Sequence, residues 1–361
     1  MSRVIISCGG TGGHIYPGIA IGQILRNEIS NVEILYVGTK DGMEKNIILK
    51  EKFNFTAVES GKLLRKISLT NFLNLFKLFK GIFQSMRIIK TFKPDLIIGL
   101  GGYVCAPVVI SGWLLKIPIV LHEQNVIPGL ANKFLSRLAK TIFVSFPETV
   151  KLFPKGKAVF TGNLVRENIG TLDKKECIYK LGLEYSKKTV TLLGGSQGAH
   201  TLNMCFLNFI KLLKDENIQI IWMTGVRDYE YCKNEIRNLN IKVLIQPFFE
   251  NIEEVYAVTD LIICRAGAST VAEIIKCNIP AIFIPYPYAS SNHQFFNAEA
   301  LVKNNCAMIL NEKELNPEKL KKLILDLIND EDKLNSFKKN IKRMDKVNTK
   351  QEILNVIKEF I

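Results

Sequence analysis

Two stretches decide the fold: Arg3-Val4-Ile5-Ile6-Ser7-Cys8-Gly9-Gly10-Thr11-Gly12-Gly13-His14, and Val190-Thr191-Leu192-Leu193-Gly194-Gly195-Ser196-Gln197-Gly198-Ala199. In each, an apolar run of strand length enters a glycine-rich turn and then a helical pattern. The first helix is predicted to open at Pro17 and the second near His200. Around these two starts, short Val/Ile/Leu runs alternate with helical patterns: Ile34-Val37, Leu96-Gly99, Ile119-Leu121 and Ile142-Val144, then Ile218-Met223, Val243-Ile245, Leu261-Cys264 and Ala281-Ile284. Continuous apolar runs with helices between them describe parallel sheets covered on both faces. The pattern restarts once. It therefore predicts two Rossmann-like α/β domains in tandem, joined near Thr161-Gly162-Asn163. Ligands in such sheets sit beyond the carboxyl ends of the strands, so two facing domains would present their loops across one cleft.

The composition fits that frame. The chain has 361 residues, 47% hydrophobic and 23% charged, as expected of a globular protein with ample core. The net charge of +14 favours polyanions: phosphate-rich ligands, an anionic leaflet or nucleic acid. The eight cysteines show no C-x-x-C or zinc spacing and mostly lie in apolar stretches, so they read as buried thiols of a reducing compartment. The N-terminal apolar run is too short to predict a secretory leader. Leu96 to Leu115 is uncharged and of membrane-span length, but its glycines and Pro107 divide it into a strand, a Gly-Gly turn and a short helix.

A glycine-rich turn that opens a helix exposes backbone N–H groups at the positive end of a helix dipole, which suits an anion. The plainer reading of either loop is a tight strand-to-helix turn. Neither loop is a dinucleotide fingerprint: Ile15 stands where the third glycine belongs, and Val37-Gly38-Thr39 lacks the ribose-binding acid. There is no P-loop either. A third small-residue turn, Arg265-Ala266-Gly267-Ala268-Ser269-Thr270-Val271-Ala272-Glu273, follows a strand. It places Glu273 in a helix's first turns, where a carboxylate can accept from two vicinal hydroxyls or simply favour the dipole. His14, His122, His200 and His293 all read as loop residues. Any of them can act as base or donor at neutral pH, and a structural imidazole is the plainer reading for His122 and His200. Asp330-Glu331-Asp332 reads as helix-start acid, so no metal or other cofactor is expected.

Lys62, Arg65, Lys66, Lys77, Lys80, Arg87, Lys90 and Lys93 fall in a stretch without Asp or Glu. Leu69, Phe72, Leu73, Phe76, Phe79, Phe83 and Met86 recur there at helical spacing. Much of that stripe packs as core. The surplus, assigned to Leu75, Phe79 and Ile82 with Trp113, is predicted to face an anionic membrane. The cluster lacks base-reading polar residues, which argues against nucleic acid.

Seven segments in order resemble the peptidoglycan GlcNAc transferases of glycosyltransferase family 28. They are Gly9 to His14, Gly101-Gly102-Tyr103, His122-Glu123-Gln124-Asn125, Gly162-Asn163 with Arg166, Gly194 to Ala199, Gly267 to Glu273, and His293-Gln294 with Asn297-Ala298. The resemblance spans essentially the whole chain and implies the GT-B fold. Residues 1–162 would be an acceptor- and membrane-facing domain, 163–344 a UDP-GlcNAc-binding domain, and 345–361 a helical return onto the first.

The implied reaction moves GlcNAc with inversion from UDP-GlcNAc to the C4 hydroxyl of undecaprenyl-pyrophosphoryl-MurNAc-pentapeptide, converting lipid I to lipid II. It would run without a metal at the cytoplasmic face of the membrane, among other cell-wall synthesis proteins. By resemblance Ser196 would meet the diphosphate, Glu273 the ribose and the Phe248-Phe249 turn the uracil. Ala268, Ser269 and Thr270, continuing into Val271 and Ala272, would supply backbone and hydroxyl donors. Gln294 and Asn125 would hold the GlcNAc hydroxyls, and Arg166 would support the nucleotide. Thr11, Gly12 and Gly13 would face the acceptor, with His14 as the general base. Leu164 and His293 depart from common family residues, proline and Arg/Gln respectively. A diacylglycerol glycosyltransferase would share this fold, and a nucleotide-binding membrane scaffold would not need both sets of loops intact.

Overall fold

A computed structural model describes residues 1–61, 69–195, 198–214, 216–345 and 347–361, with backbone alone for 69–73. It divides into two units: Met1–Val165 with Val347–Ile361, and Arg166–Lys346.

The first unit holds a seven-stranded parallel sheet of β1 (Ser2–Ser7), β2 (Val32–Gly38), β3 (Asn54–Ala57), β4 (Leu96–Gly99), β5 (Ile119–Glu123), β6 (Thr141–Val144) and β7 (Ala158–Phe160), in the order β3-β2-β1-β4-β5-β6-β7. Register is set by apolar pairs such as Val4 opposite both Ile34 and Leu96. The strands β1, β4 and β5 are almost wholly buried, so one apolar core lies on each face of the sheet. The helix Thr349–Ile357 contributes Ile353, Leu354 and Ile357 to one of those cores, together with Ile15, Ile24 and Leu25.

The second unit repeats the plan with six strands, β8 (Lys188–Leu193), β9 (Ile218–Met223), β10 (Val243–Gln246), β11 (Leu261–Cys264), β12 (Ala281–Phe283) and β13 (Ala307–Ile309), in the order β10-β9-β8-β11-β12-β13. Its core is built around the buried Trp222, Phe206 and Phe209. Two Rossmann-like parallel sheets are thus present as the sequence predicts.

Each sheet reverses its strand order once. In the first, β1 lies between β2 and β4; in the second, β8 lies between β9 and β11. Such switch points are where crevices open at the carboxyl ends of strands. Both glycine-rich loops leave the switch strand, and Gly101-Gly102 and Arg265-Ala266-Gly267 leave its new neighbour.

Two details differ from the sequence reading. The first helix runs Gly12–Glu28, so it opens five residues before Pro17. Extended Thr11 ends the loop, and its carbonyl accepts from the N–H of both His14 and Ile15. Pro17 sits buried inside the helix, where its lost hydrogen bond is outweighed by packing. His122 is not a loop residue: it lies in β5, fully buried. Asp330 caps the Glu331–Met344 helix through the N–H of Lys333, which accounts for that acidic run. All eight cysteines are free, and burial raises their thiol pKa values, Cys105 to about 11. Seven are buried and Cys277 is partly exposed, and the raised pKa values keep them as unreactive thiols.

Candidate active site

In the first unit, the loops after β1 and β4 meet around His14. A side chain on Gly101 would come within 3.2 Å of the His14 ring, and one on Gly102 within 3.4 Å. Both glycines have positive φ (+91° and +77°), a conformation that keeps the backbone clear of the imidazole. The Gln124 amide donates to the Leu100 carbonyl at 2.9 Å, which turns its Oε1 toward His14 Nδ1 at 3.2 Å. With an acceptor there, Nδ1 carries the proton and Nε2 carries the lone pair. An imidazole held in that tautomer can remove a hydroxyl proton through Nε2.

Thr11 is exposed, and Gly12 and Gly13 form the first turn of their helix. Behind them the cradle is already filled. The buried Glu44 carboxylate accepts from Thr39 N (2.8 Å), Thr39 Oγ1 (2.6 Å) and, more weakly, Gly10 N (3.4 Å). A Cβ on Gly9, Gly38 or Gly42 would run into that side chain. The beginning of this loop therefore holds an internal carboxylate.

Asn125 is held from beneath. Glu123, 1% exposed, accepts from Asn125 N (3.0 Å) and Nδ2 (3.2 Å), Gly129 N (3.0 Å) and Asn132 Nδ2 (2.9 Å).

His122 lies beneath His14. Neither of its ring nitrogens has a well-formed hydrogen bond among the described residues. Burial, with a smaller contribution from His14, pushes its pKa down to about 3, and a weak backbone contact at Gly162 opposes this only in part. The folded protein keeps His122 neutral, whereas in the unfolded chain it protonates near 6.5. Stability at this group is therefore present above pH 6.5 and is lost as pH falls toward 3. At pH 5 the loss is about 2 kcal/mol. Denaturation curves of His122→Leu should accordingly change less between pH 7.5 and 5 than those of wild type, and parallel pH dependences would refute this.

In the second unit, Ser196 falls outside the described residues. Around it, Gly195 is exposed with φ +84°, and Gly198 (φ +74°) lies so close to the Thr224 carbonyl that a Cβ would sit 2.5 Å from it. The loop leads into the helix His200–Leu212. His200 Nδ1 pairs with Asp228 at 2.9 Å, a structural contact. After β11 the helix Ala268–Cys277 begins. The Ser269 hydroxyl in its first turn is shielded and has no hydrogen-bond partner among the described residues. Thr270 and Ala272 are partly exposed, whereas Val271 is fully buried and offers only its backbone.

One turn on, Glu273 accepts from the Tyr256 hydroxyl at 2.7 Å, and Arg166 Nη2 stands 3.8 Å from its other oxygen. Burial raises the Glu273 pKa, opposed by the Tyr256 hydrogen bond and then by Arg166. Of the Phe248-Phe249 pair, Phe248 carries the exposed ring and Phe249 is buried. Gln294 Oε1 accepts from Tyr286 N at 2.9 Å, and His293 bonds the Ser290 carbonyl through Nδ1. No group of metal-binding side chains occurs among the described residues. Tyr256 and Glu44, which the sequence reading did not name, and Glu123 and Gln124, which it quoted without a role, support the candidate site residues through hydrogen bonds.

The apolar surface of the first unit lies on the helix Leu69–Phe92, with Leu75, Phe76, Phe79 and Phe83 exposed. Trp113 is exposed at the end of the helix Cys105–Leu114, which is tied to the first by Ser111 Oγ donating to the Ile82 carbonyl. Ile82 is partly exposed, less than Phe76 and Phe83, which the sequence reading did not assign to this face. Lys77, Arg87 and Lys90 are exposed on the same helix, and Lys80 is paired with Glu59. No helix among the described residues is long and apolar enough to cross a membrane.

The chain matches two family models, the glycosyltransferase family 28 N-terminal domain over residues 4–144 and the family 28 C-terminal domain over residues 189–355. It is 39% identical over 360 residues to a Bacillus pumilus protein named UDP-N-acetylglucosamine–N-acetylmuramyl-(pentapeptide) pyrophosphoryl-undecaprenol N-acetylglucosamine transferase, covering 99% of each chain. A Thermoanaerobacter protein of the same name is 40% identical, covering 99% of this chain and all of that one. The crystal structure of Acinetobacter baumannii MurG superposes with a TM-score of 0.81 at 29% identity, over 99% of this chain and 100% of that one.

Proposed function

The chain belongs to glycosyltransferase family 28, and on that premise we propose that it transfers GlcNAc from UDP-GlcNAc to the C4 hydroxyl of undecaprenyl-pyrophosphoryl-MurNAc-pentapeptide, converting lipid I to lipid II. The observation that carries this reading is the full-length identity of 39–40% with proteins bearing that transferase's name.

The donor belongs to Arg166–Lys346. Glu273 takes the ribose hydroxyls and Arg166 stands beside it. The Phe248-Phe249 turn takes the uracil. Ser196 and the amides and hydroxyls of Ala268 to Ala272 take the diphosphate, and Gln294 takes the sugar. In the first unit, Thr11 to Gly13 receive the acceptor and Asn125 a GlcNAc hydroxyl. His14 Nε2 removes the proton of the attacking C4 hydroxyl. The new C1–O bond forms as the C1–O bond to the diphosphate breaks, and UDP leaves with that electron pair. The transition state is oxocarbenium-like. Negative charge growing on the diphosphate is met by the N-termini of the His200–Leu212 and Ala268–Cys277 helices, preorganised donors typically worth about 3–4 kcal/mol each.

UDP release from UDP-GlcNAc, measured with and without a lipid I analogue, tests this. Turnover should require the analogue, prefer UDP-GlcNAc to UDP-glucose and survive EDTA. Turnover on diacylglycerol but not on the analogue would assign the chain a different acceptor.

The exposed face of Leu75, Phe76, Phe79, Phe83 and Trp113 seats the first unit on the anionic cytoplasmic surface of the membrane, with each nearby Lys or Arg adding about 1 kcal/mol. Binding to phosphatidylglycerol vesicles should fall steeply with salt, and Phe79→Asp should weaken it roughly tenfold. Salt-independent binding would remove the electrostatic part of this account.

A further inference from the structure

Why a tyrosine stands at position 256 follows from neither packing nor the roles assigned so far. Tyr256 lies in the helix Ile252–Val258 and is 3% exposed. A phenylalanine would fill the same space without bringing a hydroxyl into the core. The hydroxyl's recorded partner is Glu273 Oε2, at 2.7 Å.

Glu273 is a long side chain whose carboxylate is mostly covered, with 17% of the side chain exposed. Its other contact, Arg166 at 3.8 Å, is longer than a hydrogen bond and comes from a side chain 41% exposed. Alone, that contact leaves the carboxylate free to rotate and to drift toward the guanidinium. The phenol removes this freedom by tying down one oxygen from the buried side. The oxygen left without a hydrogen bond among the described residues is Oε1, which faces Arg166 at 3.8 Å.

We propose that Tyr256 is a positioning residue for the nucleotide: by holding Glu273 from behind, it presents the carboxylate edge-on to a vicinal diol and so makes the site select a ribonucleotide over its 2′-deoxy analogue. This rests on the reading of Arg166–Lys346 as the donor unit. Tyr256 touches no ligand and acts through Glu273 alone. The ionised carboxylate is the form that accepts two hydroxyls at once, and the phenol's hydrogen bond favours that form against the cost of burial.

Calorimetric titration of the full chain with UDP and with 2′-deoxy-UDP tests this. Wild type should bind UDP about tenfold more tightly than 2′-deoxy-UDP, the worth of one hydrogen bond to a charged group. Tyr256→Phe should weaken UDP binding severalfold, barely change 2′-deoxy-UDP binding, and so bring the ratio to about two. A structural role alone would weaken both ligands together and leave the ratio at its wild-type value, and that result overturns the proposal.

The wild-type protein gives a second readout that needs no variant. With tyrosine labelled with ¹³C at Cζ, the Tyr256 signal should move on adding UDP and move less on adding 2′-deoxy-UDP; equal movement counts against the proposal. Failure of wild type to bind UDP at all would be a different result, removing the donor assignment itself.

Discussion

His14→Ala should lower kcat by about 10²- to 10⁴-fold, the usual worth of a general base, while UDP affinity stays within about twofold of wild type. The separation follows from where the residue sits. His14 belongs to Met1–Val165, and the groups assigned to the nucleotide belong to Arg166–Lys346. Its imidazole is held by Gln124, whose amide is oriented by the Leu100 carbonyl. Gln124→Leu should therefore act in the same direction, lowering kcat by roughly tenfold, because the ring then loses its tautomer and orientation. Single-turnover kinetics with saturating UDP-GlcNAc and a lipid I analogue would show both effects. Turnover of His14→Ala within a few fold of wild type would remove His14 from the chemistry.

Glu123→Ala should be strongly destabilising, costing about 3–5 kcal/mol and lowering the melting temperature by about 10 °C. The carboxylate is buried and accepts four hydrogen bonds, from Asn125 (two), Gly129 and Asn132. Alanine would remove the acceptor that these four bonds share, leaving Gly129 N unpaired and Asn132 Nδ2 with the His122 carbonyl alone, and an unsatisfied buried donor costs more than an absent hydrogen bond. Asn125 would lose its support too, so turnover should fall along with stability. Calorimetric melting settles the matter: a shift of less than about 2 °C would mean that the four donors find other partners.

Much of this was legible in the sequence because the strands at both switch points are continuous Val/Ile/Leu runs that end in glycines. Those runs exist because the central strands are buried on both faces. Of the four edge strands, β3 (Asn54–Ala57), β7 (Ala158–Phe160) and β13 (Ala307–Ile309) are three or four residues long and partly exposed and were not read, whereas β10 (Val243–Gln246), equally short and partly exposed, kept a legible apolar run. Pro17 misplaced a helix start because its fixed φ usually marks a first turn, whereas here Thr11 ends the loop earlier.

At the candidate site, the glycine-rich loops were legible and the side chains that support them were not. Gln124 stands within the quoted His122 to Asn125 run, but nothing in that run says that its amide reaches a ring 110 residues away. Tyr256 looks like one more aromatic of an amphipathic helix until its hydroxyl is placed against Glu273. Ile82 and Phe83 are adjacent in the sequence, and nothing in the stripe says that Phe83 is the more exposed of the two.

The helix Thr349–Ile357 gives this chain an unusual order of assembly. Its Ile353, Leu354 and Ile357 complete a core whose other members include Ile15, Ile24 and Leu25. A ribosome making the protein therefore delivers nearly all of the first unit, then the whole of Arg166–Lys346, before the missing piece of the first core appears. The usual rule, that the leading domain matures first during synthesis, is inverted. The second unit can close on its own segment while the first waits with an apolar patch uncovered, a state in which a growing chain is most open to chaperones and to aggregation.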